Sequence, residues 1–204
     1  MSKPVLPIIL LAAGQSSRMK GRDKLLEQVD GMPLLRRQAM MALAAHSGPV
    51  IVTLPVKPHP RYDVIADLEI TRVPVPDADE GMAASLRRGF AALPPNTPAA
   101  MLLLADLPDL TIVDLKKCLQ AVDLKSTNSI WRGATAQGQP GHPIIFAAVH
   151  FPEFAKLTGD NGGREIVAAA KDHSVLIPLS GQQARRDLDT PEAWDKWRAE
   201  NPDR

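Results

Sequence analysis

The sequence of 204 residues contains a single cysteine, Cys118, and carries a net charge of only +1 at pH 7. One cysteine cannot form a disulfide within the chain, which fits a reducing cytoplasm, and its helical setting predicts a packed thiol. The small net charge gives no strong field that would attract nucleic acid. No apolar run approaches the ~20 residues of a membrane span, and the N-terminus lacks a signal-peptide pattern. We therefore predict a cytoplasmic protein with neither nucleic acid nor membrane as a partner.

Composition is ordinary for a globular protein, with 45% hydrophobic and 23% charged residues. The chain has no internal repeat, no low-complexity tract and no linker that would divide it. We therefore predict one α/β domain over residues 1–204.

Short apolar runs alternate with helical patterns along most of the chain. Strands are predicted at residues 8–11, 50–54, 68–73, 100–105 and 175–179. Helices are predicted at residues 33–45, 64–68, 81–93, 111–122, 151–157, 163–171 and 190–200, with Thr111 and Thr190 as caps. This alternation predicts a three-layer, doubly wound, mostly parallel sheet of Rossmann-like type. Residues 128–132 and 143–146 flank a segment rich in Gly, Gln and Pro and predict a small antiparallel insertion.

A loop of small and basic residues follows the first predicted strand. From Ala12 to Lys24 it reads Ala-Ala-Gly-Gln-Ser-Ser-Arg-Met-Lys-Gly-Arg-Asp-Lys. Small side chains let backbone N–H groups approach a ligand, and Gly14 can adopt dihedral angles closed to other residues. A strand end, a small-residue loop and a cluster of cations predict a phosphate site, although a plain strand–loop–helix junction with a solvated basic face is the alternative. The spacing matches neither the dinucleotide fingerprint, since Ser16 stands where a second glycine is required, nor the Walker loop.

The segment Leu11-Ala12-Ala13-Gly14-x-Ser16-x-Arg18-Met19, followed by Lys24-Leu25-Leu26, resembles the signature loop of the MobA-like nucleotidyltransferases. Within that family it is most similar to the molybdenum cofactor cytidylyltransferase branch. The resemblance implies that the loop wraps the triphosphate of an NTP, with Arg18 and Lys24 contacting its phosphates. The nucleotide-binding residues that it implies are Leu11, Ala12, Ala13, Gly14, Ser16, Arg18, Lys24, Gly81 and Ser85.

Asp106 ends the fully apolar strand predicted at residues 100–105. Ligands of open α/β sheets bind beyond the carboxyl ends of the strands, so Asp106 is expected near Gly14. A carboxylate there suits Mg²⁺, which takes one or two protein carboxylates together with phosphates. The alternative is that Asp106 caps the turn before Pro108. In the family, the aspartate of an Ala-Asp-x-Pro stretch is the magnesium ligand, and the resemblance implies Arg18, Lys24 and Asp106 as catalytic residues.

Two further acids, Asp187 and Asp189, stand at alternate positions before Thr190. If this stretch is extended, both carboxylates face one way, because strand side chains have a period of two. The alternative is that Asp189 and Thr190 only cap the last helix. In the cytidylyltransferase branch an Asp-x-Asp-Thr-Pro-Glu stretch offers a second metal ligand, and the sequence leaves open which aspartate supplies it.

Three more segments carry candidate binding residues. Gly81 opens a predicted helix that places Ser85 one turn in, and a Gly-Met-x-x-Ser-Leu segment in the family helps hold base and ribose; a capped helix with solvent-facing arginines is the alternative. The stretches around His142 and around Asp160 and Arg164 resemble the family's Gly-His-Pro and Gly-Asp-x-Gly-x-Arg stretches, which face the acceptor. A helix that starts at residue 163 would aim N–H groups and Arg164 at an anion.

Together these residues predict a Mg²⁺-dependent nucleotidyltransferase that needs no protein nucleophile. The resemblance implies CTP and molybdopterin as substrates, and Ala13, where guanylyl relatives have glycine, favours CTP over GTP. It also implies transient contact with a molybdenum enzyme or its chaperone. The alternatives are another small phosphate acceptor, such as a sugar or polyol phosphate, the use of GTP, and a non-catalytic maturation factor for a molybdenum enzyme.

Overall fold

The computed structural model of the protein describes residues 5–45, 48–160 and 162–204. The strands are β1 (Ile8–Leu11), β2 (Gln28–Val29), β3 (Met32–Pro33), β4 (Val50–Leu54), β5 (Thr71–Pro74), β6 (Ala99–Leu104), β7 (Ile130–Ala134), β8 (Pro140–Ala147) and β9 (Ser174–Pro178). The α-helices are α1 (Leu34–Ala44), α2 (Met82–Ala91), α3 (Ile112–Gln120), α4 (Phe151–Phe154), α5 (Arg164–Ala169) and α6 (Pro191–Glu200). Short 3₁₀ helices lie at Ser17–Met19, Pro60–Ile65, Ala78–Glu80, Ala148–His150 and Lys171–His173.

Seven strands form one sheet in the order β5-β4-β1-β6-β8-β7-β9. Every neighbouring pair is parallel except the two that include β8, which runs antiparallel to both β6 and β7. The predicted doubly wound, mostly parallel sheet is confirmed. The predicted antiparallel pair is also present, as β7 and β8, and it extends the main sheet. A separate two-stranded antiparallel sheet of β2 and β3, which we did not predict, precedes α1.

Alternate side chains of the central strands enter two separate cores, one on each face of the sheet. Ile8 and Leu10 pack in the core that contains Trp194 and Trp197 of α6, together with residues of α1 and α3. Ile9 packs on the opposite face with residues of α2, α4 and α5. Strands buried on both faces read as continuous apolar runs, which explains why β1 was predicted with its observed bounds.

Several predicted bounds differ from the observed ones. The third strand starts at Thr71, three residues later than predicted, and the short helix predicted at residues 64–68 is the 3₁₀ helix Pro60–Ile65. This helix starts early because Pro60 fixes a helical φ and the His59 ring accepts a hydrogen bond from the backbone N–H of Arg61. The helices predicted at residues 151–157 and 163–171 are shorter, as α4 and α5, and Asn161 lies outside the described residues.

Both predicted helix caps are observed. The Thr111 hydroxyl accepts a hydrogen bond from the Asp114 backbone N–H, and Asp114 accepts one from the Thr111 N–H in return. The Thr190 hydroxyl accepts a hydrogen bond from the Ala193 backbone N–H at the start of α6. Cys118 is buried, and burial raises the pKa of its thiol to about 12, so it is the packed thiol that was predicted. Among the helices of the described residues, none combines the length and the apolar character that crossing a membrane requires.

Helix α2 approaches β1 so closely that Gly89 leaves no room for a side chain, since a Cβ there would lie 2.7 Å from Cγ2 of the buried Ile9. We expect Gly89→Ala to lower the free energy of unfolding by about 1–3 kcal/mol, because overpacking outweighs the helix propensity that alanine adds. Denaturant titration measures this change.

Gly14→Ala is the matched control for Gly89→Ala. A Cβ at Gly14 has no atom within 4 Å, so its unfolding free energy should stay within about 0.5 kcal/mol of wild type. Equal stability of the two variants would contradict the proposed contact between α2 and β1.

Candidate active site

A cavity of about 560 Å³ lies beyond the carboxyl ends of β1 and β6. Strand order reverses at β1, which has β4 on one side and β6 on the other, and such a switch point opens a crevice for ligands. Leu11 and Leu104 end the two strands in register, so the residues that follow them face each other. The cavity is lined by Leu11, Ala12, Ala13, Gly14, Gln15, Ser17, Lys24, Leu25, Ala78, Asp79, Gly81, Met82, Ser85, Leu104, Asp106 and Asp160.

The loop after β1 forms one wall of this cavity. Ala12 and Ala13 are buried, whereas Gly14 is exposed and borders open space. Gly14 does not have a positive φ, so the expectation that it uses dihedral angles closed to other residues is wrong. What glycine supplies at this position is room beside the backbone, where a ligand can approach.

Ser16 and Ser17 have different surroundings. The Ser16 hydroxyl takes part in hydrogen bonds within the protein, to Asp23 at 3.3 Å and to Arg61 at 3.1 Å. Ser17 lines the cavity and Ser16 does not. The structure therefore places the Ser16 side chain in the loop's internal bonding and Ser17 on the cavity wall, an assignment that the serine pair in the sequence gave no means to make.

Lys24 lies between two carboxylates at the centre of the site. Its Nζ is 2.6 Å from Oδ2 of Asp106 and 2.5 Å from Oδ1 of Asp189, and Arg18 approaches the other oxygen of Asp189 at 2.5 Å. Burial alone would lower the pKa of Lys24, but the carboxylates of Asp106 and Asp189 raise it above the usual value. Lys24 therefore stays charged, and the structure brings together the predicted residues Arg18, Lys24, Asp106 and Asp189.

The stretch that carries Asp187 and Asp189 is anchored beside β6. Leu188, between them, is buried, and its backbone N–H donates to the Asp106 carbonyl at 3.3 Å. The side chain of Asp187 interacts with that of Asp189 and also senses the charge of Asp106. Thr190 caps α6 directly after them, so the same stretch caps the helix and also carries the two carboxylates.

The two aspartates differ in their electrostatic surroundings. Partial burial, and the negative charges of Asp189 and Asp106, raise the pKa of Asp187. Burial also opposes ionisation of Asp189, but hydrogen bonding to Lys24 and the charges of Lys24 and Arg18 hold its pKa below the usual value. The negative charge of Asp189 is therefore compensated, whereas that of Asp187 is not.

The chemistry of these residues fits a divalent cation that arrives with phosphates. Within residues 5–45, 48–160 and 162–204, no three His, Cys, Asp or Glu side chains are placed to hold a metal by themselves. Mg²⁺ needs only one or two carboxylates when phosphates and waters supply the other ligands. Oδ1 of Asp106 is buried and has no hydrogen-bond partner in the described part of the chain, and Asp187 supplies an uncompensated carboxylate beside it.

The opposite wall of the cavity is built on Gly81 and the start of α2. Gly81 has φ of +114°, and a Cβ there would lie 2.8 Å from the carbonyl oxygen of Gly159. The Gly159 carbonyl also accepts a hydrogen bond from the Ala83 N–H at 3.1 Å, so two chain segments meet at this glycine. Ser85 is buried one turn later and lines the cavity, as does Asp160.

The alternative interpretation assumed that the two arginines of α2 face solvent, but both form bonds within the protein. Arg87 donates to the Leu157 carbonyl at 2.7 Å and also pairs with Glu80, while Arg88 pairs with Asp77 at 2.7 Å. These bonds fix the turn before Gly81, which positions the wall of the cavity.

Gln15 and Asp79 form a contact that the sequence did not predict. The Gln15 amide donates to the Asp79 carboxylate, and both side chains line the cavity. They belong to segments 64 positions apart, and neither residue type marks a partner in the sequence. The bond joins the loop after β1 to the turn before α2.

His142 and Arg164 do not line the cavity. Burial, and the positive charge of Arg132, lower the pKa of His142 to about 4, so its imidazole is neutral at neutral pH. Burial and the charges of Arg185 and Arg164 also lower the pKa of Arg132. The charges of Arg132 and Asp106 act on the His142 imidazole with opposite effects, and those of Arg185 and Arg164 act on Arg132.

The depressed pKa of His142 predicts a pH dependence of stability. The unfolded state takes up a proton near pH 6.5, whereas the folded state resists protonation until about pH 4, so stability falls as pH decreases from 6.5 to 4. Over this pH range, we expect the free energy of unfolding of His142→Asn to fall by up to about 3 kcal/mol less than that of the wild type. Denaturant titrations at several pH values measure it.

His173→Asn serves as a control for this titration, because His173 is an exposed histidine away from the cavity. Identical pH profiles for wild type and His142→Asn would show that the folded protein does not resist protonation of His142.

Comparison with known proteins agrees with this geometry. The family model described as MobA-like NTP transferase domain matches residues 8–175. The purine catabolism protein PucB of Bacillus subtilis is 26% identical over 96% of this chain and 97% of its own length. A probable molybdenum cofactor guanylyltransferase of Synechococcus elongatus is 30% identical over 91% of this chain and 94% of its own length.

A crystal structure of Rv0371c from Mycobacterium tuberculosis is also similar, with a TM-score of 0.82 and 26% identity over 96% of this chain and 98% of that one. A further structure of Rv0371c is a complex with manganese, with a TM-score of 0.75 and 24% identity over 94% and 96% of the two chains. From the family match, the fold and the site, we conclude that this chain belongs to the MobA-like NTP transferase family and is a nucleotidyltransferase.

Proposed function

We propose that the protein transfers CMP from CTP to the terminal phosphate of molybdopterin or a closely similar acceptor and releases pyrophosphate. The observation that carries this proposal is the pairing of Lys24 with Asp106 and Asp189 at the cavity beyond the carboxyl ends of β1 and β6. The cavity volume of about 560 Å³ falls in the range of small-molecule sites.

In the proposed reaction, an acceptor phosphate oxygen attacks the α-phosphorus of CTP in line. A new P–O bond forms, the bond to the oxygen between the α- and β-phosphates breaks, and pyrophosphate leaves with the electron pair. This chemistry needs no protein nucleophile, because positioning and neutralisation of charge supply the rate enhancement. Lys24 and Arg18 are the cations of this chain that meet the phosphates, and backbone N–H groups around Ala13 and Gly14 border the same space.

For the metal, we propose that Asp106, through its unpartnered Oδ1, and Asp187 are the protein ligands of Mg²⁺. Asp189 then holds Lys24 and Arg18 in place. Mg²⁺ bound at this position would neutralise phosphate charge and orient the α-phosphate. A structure of Rv0371c, which has the same fold, is a complex with manganese, and this supports a divalent cation as the cofactor.

For the acceptor, we propose the region between Asp106 and the three arginines Arg132, Arg164 and Arg185. Guanidinium groups suit phosphate because their donors match its oxygens in pairs. His142 is neutral and therefore acts as a hydrogen-bonding group toward the acceptor, and Asp160 borders the cavity on the same side as Gly81.

For the nucleotide, we propose CTP on the basis of Ala13. The Ala13 methyl group is buried beside Ala84 and Val75 and borders the cavity, where it reduces the space for a base. A smaller base is favoured there, as the resemblance to the cytidylyltransferase branch implies. The relative from Synechococcus elongatus is named as a guanylyltransferase, so GTP is the competing nucleotide in the test.

A non-catalytic maturation factor is the rival of another class. A module that only binds a pterin cofactor has no need for a charged lysine between two carboxylates, and this chain retains that arrangement. A cytoplasmic location and transient transfer of the product to a molybdenum enzyme or its chaperone also belong to the proposal.

Pyrophosphate release tests the proposed reaction directly. Purified protein is supplied with Mg²⁺ and with CTP, GTP, ATP or UTP, each with and without molybdopterin. We expect release with CTP that depends on the pterin. Release with GTP instead of CTP would show that GTP is the nucleotide substrate. A rise in melting temperature with an NTP but without any pyrophosphate release would reject molybdopterin as the acceptor.

Asp106→Asn is the decisive variant in this assay. It should lower turnover by at least about 100-fold at nearly unchanged stability, because the carboxylate proposed to bind the metal is lost. Asp67→Asn is the matched control, since Asp67 pairs with Arg36 on the surface and does not line the cavity. An unchanged rate in Asp106→Asn would remove the metal assignment.

Lys24→Ala should also reduce turnover by about 100-fold while changing the melting temperature by only a few degrees. Lys24 pairs with the carboxylates of Asp106 and Asp189 and, in the proposed reaction, also neutralises the phosphates, so its loss should affect the reaction more than folding. Lys156→Ala, which removes a surface ion pair with Glu153, is the control and should affect neither quantity. Normal specific activity with a large loss of stability would make Lys24 a structural residue.

A further inference from the structure

Arg61 is a buried arginine outside every motif of the sequence. It lies on the 3₁₀ helix Pro60–Ile65, and only 1% of its surface is exposed. A buried guanidinium is expensive to desolvate unless its donors are satisfied, and here they are. Within the described part of the chain, all of its side-chain hydrogen bonds go to the loop after β1.

The guanidinium contacts that loop at three separate points. Nη1 donates to the Ala12 carbonyl at 2.6 Å, at the start of the loop. Nη2 donates to the Ser16 hydroxyl at 3.1 Å, in the middle. Nε and Nη2 each donate to one oxygen of Asp23 at 2.7 Å, at the end of the loop.

The same acceptors also hold the backbone around Lys24. Oδ1 of Asp23 accepts a hydrogen bond from the Leu25 N–H at 2.9 Å, and the Ser16 hydroxyl accepts one from the Lys24 N–H at 3.3 Å. Arg61 therefore shares two hydrogen-bond acceptors with the backbone around Lys24, and this backbone directs the Lys24 side chain toward Asp106.

The loop needs such support because its backbone is strained. Ser16 and Lys20 have φ of +55° and +53°, in the left-handed region that non-glycine residues rarely adopt. Conformations of this kind persist only where the surrounding structure determines them. The paired donors of Arg61 provide that constraint from beneath the loop.

Stability alone does not explain an ion pair at this position. Burial opposes ionisation of Asp23, while the hydrogen bond and charge of Arg61 lower its pKa. Apolar residues of similar volume often stabilise a fold as well as a buried ion pair does, whereas a directional fork specifies a geometry. The geometry specified here is that of the phosphate-binding loop.

We propose that Arg61 is a positioning residue for nucleotide binding, which holds residues 12–24 in the conformation that presents Lys24 to the phosphates. The expected change in KM rests on the proposed function. The expected change in hydrogen exchange of the loop rests on the contacts of Arg61 alone.

Arg61→Lys keeps the positive charge and removes the paired donors. We expect the KM for the NTP to rise at least tenfold, the NTP-induced rise in melting temperature to shrink, and amide hydrogen exchange over residues 12–24 to accelerate. Arg36→Lys is the matched control, because Arg36 also forms a paired contact with an aspartate, Asp67, and holds the same 3₁₀ helix through the Val64 carbonyl. It does not touch the loop, so KM should change less than twofold.

A second variant, Arg61→Ala, leaves a cavity of guanidinium shape. Added guanidinium at millimolar concentration should partly restore NTP binding in this variant and leave Arg36→Ala unchanged. Rescue of this kind does not occur when a residue only contributes packing.

The outcomes separate the two hypotheses. Equal loop exchange and equal KM in Arg61→Lys and Arg36→Lys would overturn the positioning role. If the wild-type protein binds no NTP, the proposed function fails, and the difference in loop exchange between the two variants still decides whether Arg61 holds the loop.

Discussion

The site depends on the ammonium group of Lys24, which lies within 2.6 Å of carboxylates from two distant parts of the chain, Asp106 and Asp189. Without it, three acidic side chains would face one another at the carboxyl edge of the sheet, since Asp187 lies beside them. The pKa directions follow from this arrangement, because the carboxylates raise the pKa of Lys24 and the ammonium lowers that of Asp189. The lysine is thus both the charge that permits the acids to converge and the group aimed at the cavity.

Strand register and a few contacts between loops bring these side chains together. Register between β1 and β6 places the loop after one strand opposite the aspartate after the other. A hydrogen bond from the Leu188 N–H to the Asp106 carbonyl brings the C-terminal stretch alongside, with the Leu188 side chain in the core as an anchor. The loop itself is the strained part, and Arg61 fastens it to the 3₁₀ helix after β4. The loop has no strand or α-helix of its own, so side-chain contacts with the neighbouring elements hold it in place.

The central strands and Asp106 were predictable because an apolar run buried on both faces of a sheet leaves an unambiguous pattern, and a carboxylate directly after it has a defined place. Arg61 was not predictable, since its burial depends on a partner 38 positions away and the segment Pro58-His59-Pro60 before it shows no motif. The bond between Gln15 and Asp79 escaped prediction for the same reason. Local spacing also cannot tell Ser16 from Ser17, because the left-handed φ at Ser16 decides which hydroxyl turns inward. Pattern predicts which elements form, whereas contacts between loops depend on how those elements pack.

The balance of charge at the site bears on how a nucleotide can bind. Lys24 pairs with Asp106 and Asp189, and Arg18 pairs with Asp189, whereas burial and the negative charges of Asp189 and Asp106 raise the pKa of Asp187. A triphosphate adds several further negative charges to a space bordered by these acids, which would repel it if it came alone. In the proposed complex the loop donors and Arg18 would offset part of that charge, while Oδ1 of Asp106, which has no hydrogen-bond partner in the described part of the chain, would still lack a cation. On the proposed function, an NTP that brings its own divalent cation would remove the repulsion and satisfy both carboxylates, so the acidic groups would favour the metal complex of the nucleotide over the free nucleotide.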